Sequence, residues 1–186
     1  MPLSPPARPG QSFAEIDTPS LIIDLDAFER NLVTMAAFAE ATGVRLRPHA
    51  KTHKSPEIAL RQIAHGAVGQ CCQKVGEAEI LVAGGVTDVL VTNEIAGAAK
   101  LDRLAKLARE ARIGLCVDHI DGVREAAEAA ARNDVVLDVL VELDIGGRRC
   151  GVAPGEAAVR LAEAVARSNT LRFQGVPASH GSAPHM

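Results

Sequence analysis

The sequence predicts an α/β domain built on a parallel sheet, and three observations point there. Apolar runs of strand length alternate with segments of helical period from residue 21 to residue 176. The runs are nearly continuous in apolar residues, which suits parallel strands covered on both faces. Six of them, counted from residue 44, are separated by segments long enough for helical crossovers. Eight strands would close a (β/α) barrel, whereas an open doubly wound sheet needs no more than six. No Gly-x-Gly-x-x-Gly follows the first strand, so the dinucleotide form of the open sheet has no support.

The elements follow in order. Residues 21–24 read as a short strand. Asp26 is the expected cap of the first helix, with Glu29 three residues on, as in a capping box. Phe28, Leu32, Met35 and Ala39 recur at helical spacing, and Gly43 ends the run. Residues 44–47 form the next strand. Ser55 and Pro56 open a helix that reaches about His65. Residues 68–72 are a strand, and 76–83 a short helix closed by Gly84 and Gly85. Residues 88–92 are a strand ending at Asn93, followed by a helix with Leu101, Leu104 and Ala108 on one face. Residues 113–117 are a strand, 119–132 a helix and 135–143 a long strand. A loop occupies 144–151, Pro154 begins another helix, and 171–176 is the last strand. The proline-rich residues 1–17 read as a disordered arm, and 18–186 as one domain.

Composition narrows the function. The 186 residues carry a formal net charge of −3 and are 47% hydrophobic, enough for a packed core. No basic face stands out, which argues against nucleic acid as a partner. No apolar run is long enough for a bilayer, and the first residues lack an apolar signal core, so a cytoplasmic location is expected. Cys71, Cys72, Cys116 and Cys150 sit in or beside apolar runs and are expected to be buried and reduced.

The chemistry concentrates at 47–54, Arg-Pro-His-Ala-Lys-Thr-His-Lys, between a strand and a helix. A neutral amine attacks carbonyls, and cationic neighbours and desolvation favour that form. Such a lysine can therefore hold pyridoxal phosphate. A solvated basic loop is the plainer reading of these residues alone. Further polar groups follow other strands: Gln73, Asn93, Arg149 and His180. Barrel enzymes place their chemistry at these strand ends. His49 and His53 are four apart, and His180 and His185 five apart, but no third ligand accompanies either pair. No metal site is assigned within the chain.

With these motifs the sequence resembles the D-threonine aldolase and D-serine dehydratase family. The octapeptide at 47–54 resembles that family's lysine motif. Thr-Pro-Ser-Leu-Ile-Ile-Asp-Leu-Asp at 18–26 is similar to its opening. Cys-Cys-Gln-Lys-Val-Gly-Glu-Ala-Glu at 71–79 and Val-Leu-Val-Thr-Asn-Glu at 89–94 are similar to the 3-hydroxy-D-aspartate aldolase branch. Residues 144–152 resemble its Asp-x-Gly-x-x-Arg-Cys-Gly-Val loop. The resemblance implies a fold-type III pyridoxal 5'-phosphate enzyme with an alanine racemase-like TIM barrel, here with about six of eight strands. It implies Lys51 as the Schiff-base lysine and Arg149 near the cofactor's phenolic oxygen and the substrate. Gln73 is implied as a cofactor contact, with Asn93 and His180 as weaker ones. The activity implied is lysis of a D-3-hydroxy amino acid, D-threonine or 3-hydroxy-D-aspartate, to glycine and an aldehyde. D-serine dehydratase-type ammonia elimination and a non-catalytic cofactor-binding fragment are the alternatives.

Two departures temper the match. Pro-Ala-Ser at 177–179 stands where the family usually has Gln-Ala-Tyr. Family members are also about twice as long. The chain is therefore expected to be truncated and inactive alone, without the C-terminal β-domain and the divalent-metal ligands. A homodimer is expected of the complete protein.

Overall fold

The computed structural model describes residues 5–179. It contains six α-helices and a five-stranded sheet in that span: α1 (Leu25–Thr42), α2 (Pro56–Ala64), β1 (Gln70–Cys72), α3 (Val75–Ala83), β2 (Asp88–Glu94), α4 (Ala98–Leu107), β3 (Arg112–Val117), α5 (Ile120–Arg132), β4 (Leu137–Val141), α6 (Glu156–Ala166) and β5 (Leu171–Gly175). Within the expected N-terminal arm, Phe13–Glu15 forms one 3-10 turn.

The strand order is β1-β2-β3-β4-β5, and every pairing is parallel. A sheet whose strands follow one another without reversal winds in one sense, so its crossover helices gather on one face. A doubly wound sheet would reverse at a switch point. The observed order is that of a partial (β/α) barrel. Strand alternation then sorts the side chains. Val89, Val91, Ile113, Leu115, Leu137, Val139 and Val141 are buried with Leu101, Leu104, Val123 and Leu161 of the helices. Leu90, Gly114, Asp138, Leu140 and Gln174 line a concavity with Arg45 and Arg47. Among the described residues the sheet is thus covered by helices on one face only, not on both.

Several boundaries differ from the sequence reading. The helix α1 is capped by Asp24, not Asp26: the Asp24 carboxylate accepts the Ala27 N–H at 2.8 Å. That role takes residues 21–24 out of any strand, and none forms there. Gly43 closes α1 at φ 69°, in the left-handed region that glycine adopts without a steric penalty. Ser55 caps α2, its hydroxyl accepting the Ile58 N–H at 3.3 Å, with Pro56 in the first turn.

The sixth expected strand, 44–47, is extended chain without a regular ladder. It still runs beside β1. Val68 N–H donates to Leu46 O at 2.9 Å, Cys71 N–H to Pro48 O at 2.7 Å, and Ala50 N–H to Cys71 O at 2.7 Å. Pro48 has no N–H to return a bond, so the pairing is interrupted where a strand would have continued.

The packing makes a direct prediction. Leu104 of α4 is fully buried, whereas Leu60 of α2 is 41% exposed. Leu104→Ala should lower stability by about 2–5 kcal/mol, and Leu60→Ala by much less. Urea unfolding of the two variants checks the difference.

Candidate active site

The extended segment delivers 49–54 to the C-terminal end of the sheet as a turn. Ala50 is buried there and bonded to β1 through its N–H. Lys51 follows with an exposed side chain. Among the described residues no carboxylate pairs with its amine. Lys54 differs: it adopts φ 53° and its ammonium pairs with the Glu77 carboxylate of α3. Glu77 also accepts the Gln73 N–H at 2.8 Å and the Lys74 N–H at 3.3 Å. Burial of Glu77 acts to raise its pKa, but the Lys54 ammonium and these N–H groups outweigh it and hold the carboxyl below its usual range. One lysine of the motif is committed to a helix N-terminus and the other is not.

Behind Lys51 stands His49. Its Nδ1 lies 3.2 Å from the Lys51 N–H, and its Nε2 lies 3.0 Å from the Thr92 hydroxyl of β2. Thr92 also reaches Cys72 O at 3.2 Å. Burial, then the Lys51 charge, push His49 below the ordinary histidine range.

Gln73 and Asn93 follow β1 and end β2, respectively side by side. The Asn93 side-chain amide donates to Gln73 O at 3.2 Å, which commits one end of Asn93 to holding the strand ends together. Both line a cavity of about 600 Å³ with Ala50, Lys54, Lys100 and Arg103. Lys51 does not line it.

Arg149 sits on the loop after β4. Asp144 shapes that loop by accepting the N–H groups of Gly146 at 2.9 Å and Arg148 at 3.0 Å. Gly151 closes it at φ 99°, and a Cβ there would lie 2.5 Å from Asp144 N, so only glycine fits. Arg149 is exposed and approaches the buried Glu142 carboxylate at 4.0 Å. Its Nε lies 3.4 Å from Cys150 Sγ.

Glu142, Glu94 and Cys150 form a group whose ligand atoms lie within 4.8 Å of one another. Burial raises Glu94, and the facing Asp118 and Glu142 carboxylates add to the shift. Of the two carboxylates, Glu142 has the Arg149 guanidinium 4.0 Å away. Composition and spacing gave no sign of this trio, because two βα units separate Glu94 from Glu142 and Cys150. His180 and His185 lie outside the described residues.

Lys51, Gln73, Asn93 and Arg149 therefore all occupy the same end of the sheet. Gln73 and Asn93 are in direct contact. Among the described residues no hydrogen bond or ion pair links Lys51 to Arg149, or either of them to that pair. His49, Thr92, Glu94 and Glu142 complete the neighbourhood. His49 and Thr92 stand inside the quoted motifs, but their mutual contact crosses 43 residues and leaves no trace in spacing.

The thiols divide in reactivity. Burial pushes Cys71 up to about 11 and Cys72 to about 12, and raises Cys116 further. Cys150 is only half-buried, contrary to the expectation for all four. Alkylation of the native protein, read by peptide mass, should modify Cys150 first, with the other three reacting after denaturation. Early modification of Cys71 or Cys116 would contradict the packing of the sheet.

Comparison with known proteins now adds to the geometry. The family model for the alanine racemase N-terminal domain matches residues 23–184. D-threonine aldolase of an Arthrobacter species is 48% identical over 98% of this chain and 48% of its own length. 3-Hydroxy-D-aspartate aldolase of Paracoccus denitrificans (strain Pd 1222) is 46% identical over 97% of this chain and 47% of its own length. The crystal structure of D-threonine aldolase from Filomicrobium marinum superposes with a TM-score of 0.91 at 57% identity, covering 94% of this chain and 47% of that one. The chain spans about half the length of the curated relatives it matches. A sheet that winds in one sense, an uncommitted lysine at its C-terminal end and the family match over 23–184 agree: the chain belongs to the alanine racemase N-terminal domain family.

Proposed function

We propose that this chain forms the pyridoxal 5'-phosphate-binding barrel of a lyase that cleaves D-3-hydroxy amino acids, D-threonine or 3-hydroxy-D-aspartate, to glycine and an aldehyde. The observation that carries the reading is the state of Lys51. It is an exposed amine at a strand end, unpaired with any carboxylate among the described residues, in a chain nearly half identical to two such aldolases.

The donor set suits the cofactor. An uncommitted amine can hold its aldehyde carbon covalently, and the exposed Arg149 guanidinium can face an anionic oxygen. Gln73 and Asn93 supply neutral hydrogen-bonding groups at the same strand ends. His180 is retained as a weaker contact. When bound, the cofactor supplies an electron sink for the bond broken at the substrate's α-carbon.

This chain's residues then divide the work. Lys51 would hold the cofactor, and as a free amine it would be placed to move a proton. Lys54 is unsuited to either task because Glu77 holds it. Arg149 is oriented by Glu142 from one side and leaves its other N–H groups toward solvent. Glu94, half-buried, stands near Arg149 and Glu142, and burial holds its carboxyl above the ordinary range.

A divalent metal holding the substrate hydroxyl belongs to the reading, with ligands outside this chain. So do a homodimer, a cytoplasmic location, and the absence of nucleic-acid and membrane partners. No helix among the described residues is long and apolar enough to cross a membrane. We also propose that the 186-residue chain does not turn over substrate alone, because the five strands among the described residues leave the ring of a closed eight-stranded barrel open.

Two experiments test this. Borohydride reduction with pyridoxal phosphate, followed by peptide mapping, should label Lys51. A label on Lys54 instead would end the assignment. The protein in the form in which it occurs in the cell should release glycine from D-threonine or 3-hydroxy-D-aspartate. Pyruvate from D-serine, with no glycine from the other two, would favour the dehydratase. Glycine release by the 186-residue chain alone would overturn the last proposal.

A further inference from the structure

His49 joins two strand ends to the backbone of the candidate cofactor lysine, and the direction of every bond in that chain is forced. At one end, the Lys51 backbone N–H can only donate. It lies 3.2 Å from His49 Nδ1, so that nitrogen carries no proton. At the other end, Cys72 O can only accept. The Thr92 hydroxyl, 3.2 Å away, gives it its single proton. Thr92 Oγ1 is then an acceptor toward His49 Nε2 at 3.0 Å, so Nε2 carries the proton. The two ends demand the same neutral imidazole, protonated on Nε2 alone. A doubly protonated ring would lose the bond to Lys51.

The surroundings agree. The charged and titratable groups facing the ring are the Lys51 ammonium and His53 of its own turn and Glu77 of α3, with the Gln73 amide at the end of β1. Burial and Lys51 disfavour the imidazolium, while Glu77 and Gln73 act the other way and are outweighed. His53 does not share the arrangement. Its Nδ1 accepts the Ser55 N–H at 3.1 Å, and its Nε2 is buried without a partner among the described residues.

We propose that His49 is a positioning residue for Lys51: fixed as the Nε2-protonated imidazole by Thr92, it grips the Lys51 N–H and sets the turn from which the reactive amine projects. The bond spans two residues, as in the turns that Asn and Asp side chains make with the N–H two positions on. An orientation held in advance lowers the entropic cost of bringing the amine to a carbonyl. The proposal rests on Lys51 being the cofactor lysine, and the test separates the two.

The tautomer is read first, from nitrogen chemical shifts of the histidine rings in the labelled protein near neutral pH. His49 should show protonated Nε2 and bare Nδ1, and should keep that form in Thr92→Ser. Thr92→Val, which removes the acceptor, should give mixed tautomers and raise the Lys51 amide exchange rate. A bare Nε2 or an imidazolium in the unchanged protein would overturn the proposal. The second readout is the rate at which pyridoxal phosphate with cyanoborohydride labels each lysine. His49→Asn can still accept the Lys51 N–H and should label Lys51 at close to the original rate. His49→Leu cannot and should label it about tenfold more slowly, with Lys54 unchanged. Equal Lys51 rates in the two variants would overturn the positioning role. Should His49→Leu fail to fold, Thr92→Val against Thr92→Ser carries the same comparison. No Lys51 label in the unchanged protein, with the tautomer as expected, would instead remove Lys51 as the cofactor lysine.

Discussion

Three backbone hydrogen bonds, from residues 46–50 to Val68 and to Cys71 of β1, set the position of the basic turn on which the candidate site depends. They carry an irregular segment along the sheet edge until Cys71 O accepts the Ala50 N–H. The next residue is Lys51. Because the last two bonds are to Cys71 of β1, the Lys51 backbone follows at the end of the sheet where Gln73, Thr92 and Asn93 emerge. Pro48 leaves a gap in the pairing, the Ala50 N–H makes its last bond to β1, and a turn follows. A regular strand would have continued past the sheet end or stopped short of it.

The concave face separates its charges by level. At the N-terminal ends of the strands, Arg47 grips Asp88 through two bonds of 2.7 and 3.1 Å. Asp138 is 5% exposed and accepts from Arg112 at 2.5 Å and Arg172 at 2.6 Å. Such a carboxylate is tolerable only because two guanidiniums satisfy it. A Cβ at Gly69 would lie 2.4 Å from Arg47 Nη1, so that glycine opens the path for the arginine. Toward the C-terminal ends the balance changes. The Arg149 guanidinium approaches Glu142 at 4.0 Å, and Glu94 Oε1 is buried without a partner among the described residues. One level is saturated with ion pairs and rigid, whereas the other keeps unmet polar capacity, as a binding level must.

The fold was largely legible because its signals are local. Helical period, the Gly43 stop and the Ser-Pro start at 55–56 act within a few residues, and the structure kept each of them. The misses come from competition between equal local signals. Asp24 and Asp26 could both cap, and the helix took the earlier one. Residues 44–47 have strand composition, but Pro48 and a single paired side leave them short of a ladder. The covering of the sheet was misread for another reason. Apolar runs cannot tell a face covered by helices from one that curves toward its own far side, and the inner positions Asp88, Asp138 and Arg172 were too widely spaced to stand out. Candidate site residues stood out in the sequence where a motif carried them, as with Lys51, Gln73 and Arg149. Their partners did not, since Glu77, Thr92 and Glu142 reach them across turns and strands.

Lys51 and Lys54 show how the surroundings distinguish residues that sequence presents as equals. Both amines are exposed, three residues apart, in one basic turn. Glu77 lies in the first turn of α3, where its carboxylate already satisfies the N–H groups of Gln73 and Lys74. That placement favours an anion, and the anion draws the nearer ammonium, Lys54. Lys54 thereby becomes part of the scaffold that closes the α3 N-terminus against the turn. The same contact commits Glu77 to Lys54, and among the described residues no carboxylate pairs with the Lys51 amine. A carboxylate at position 49 would cap the turn equally well, since its oxygen can accept the Lys51 N–H. It would also pair with the Lys51 ammonium and hold the amine in its unreactive form. Histidine in its neutral form offers the acceptor without the charge.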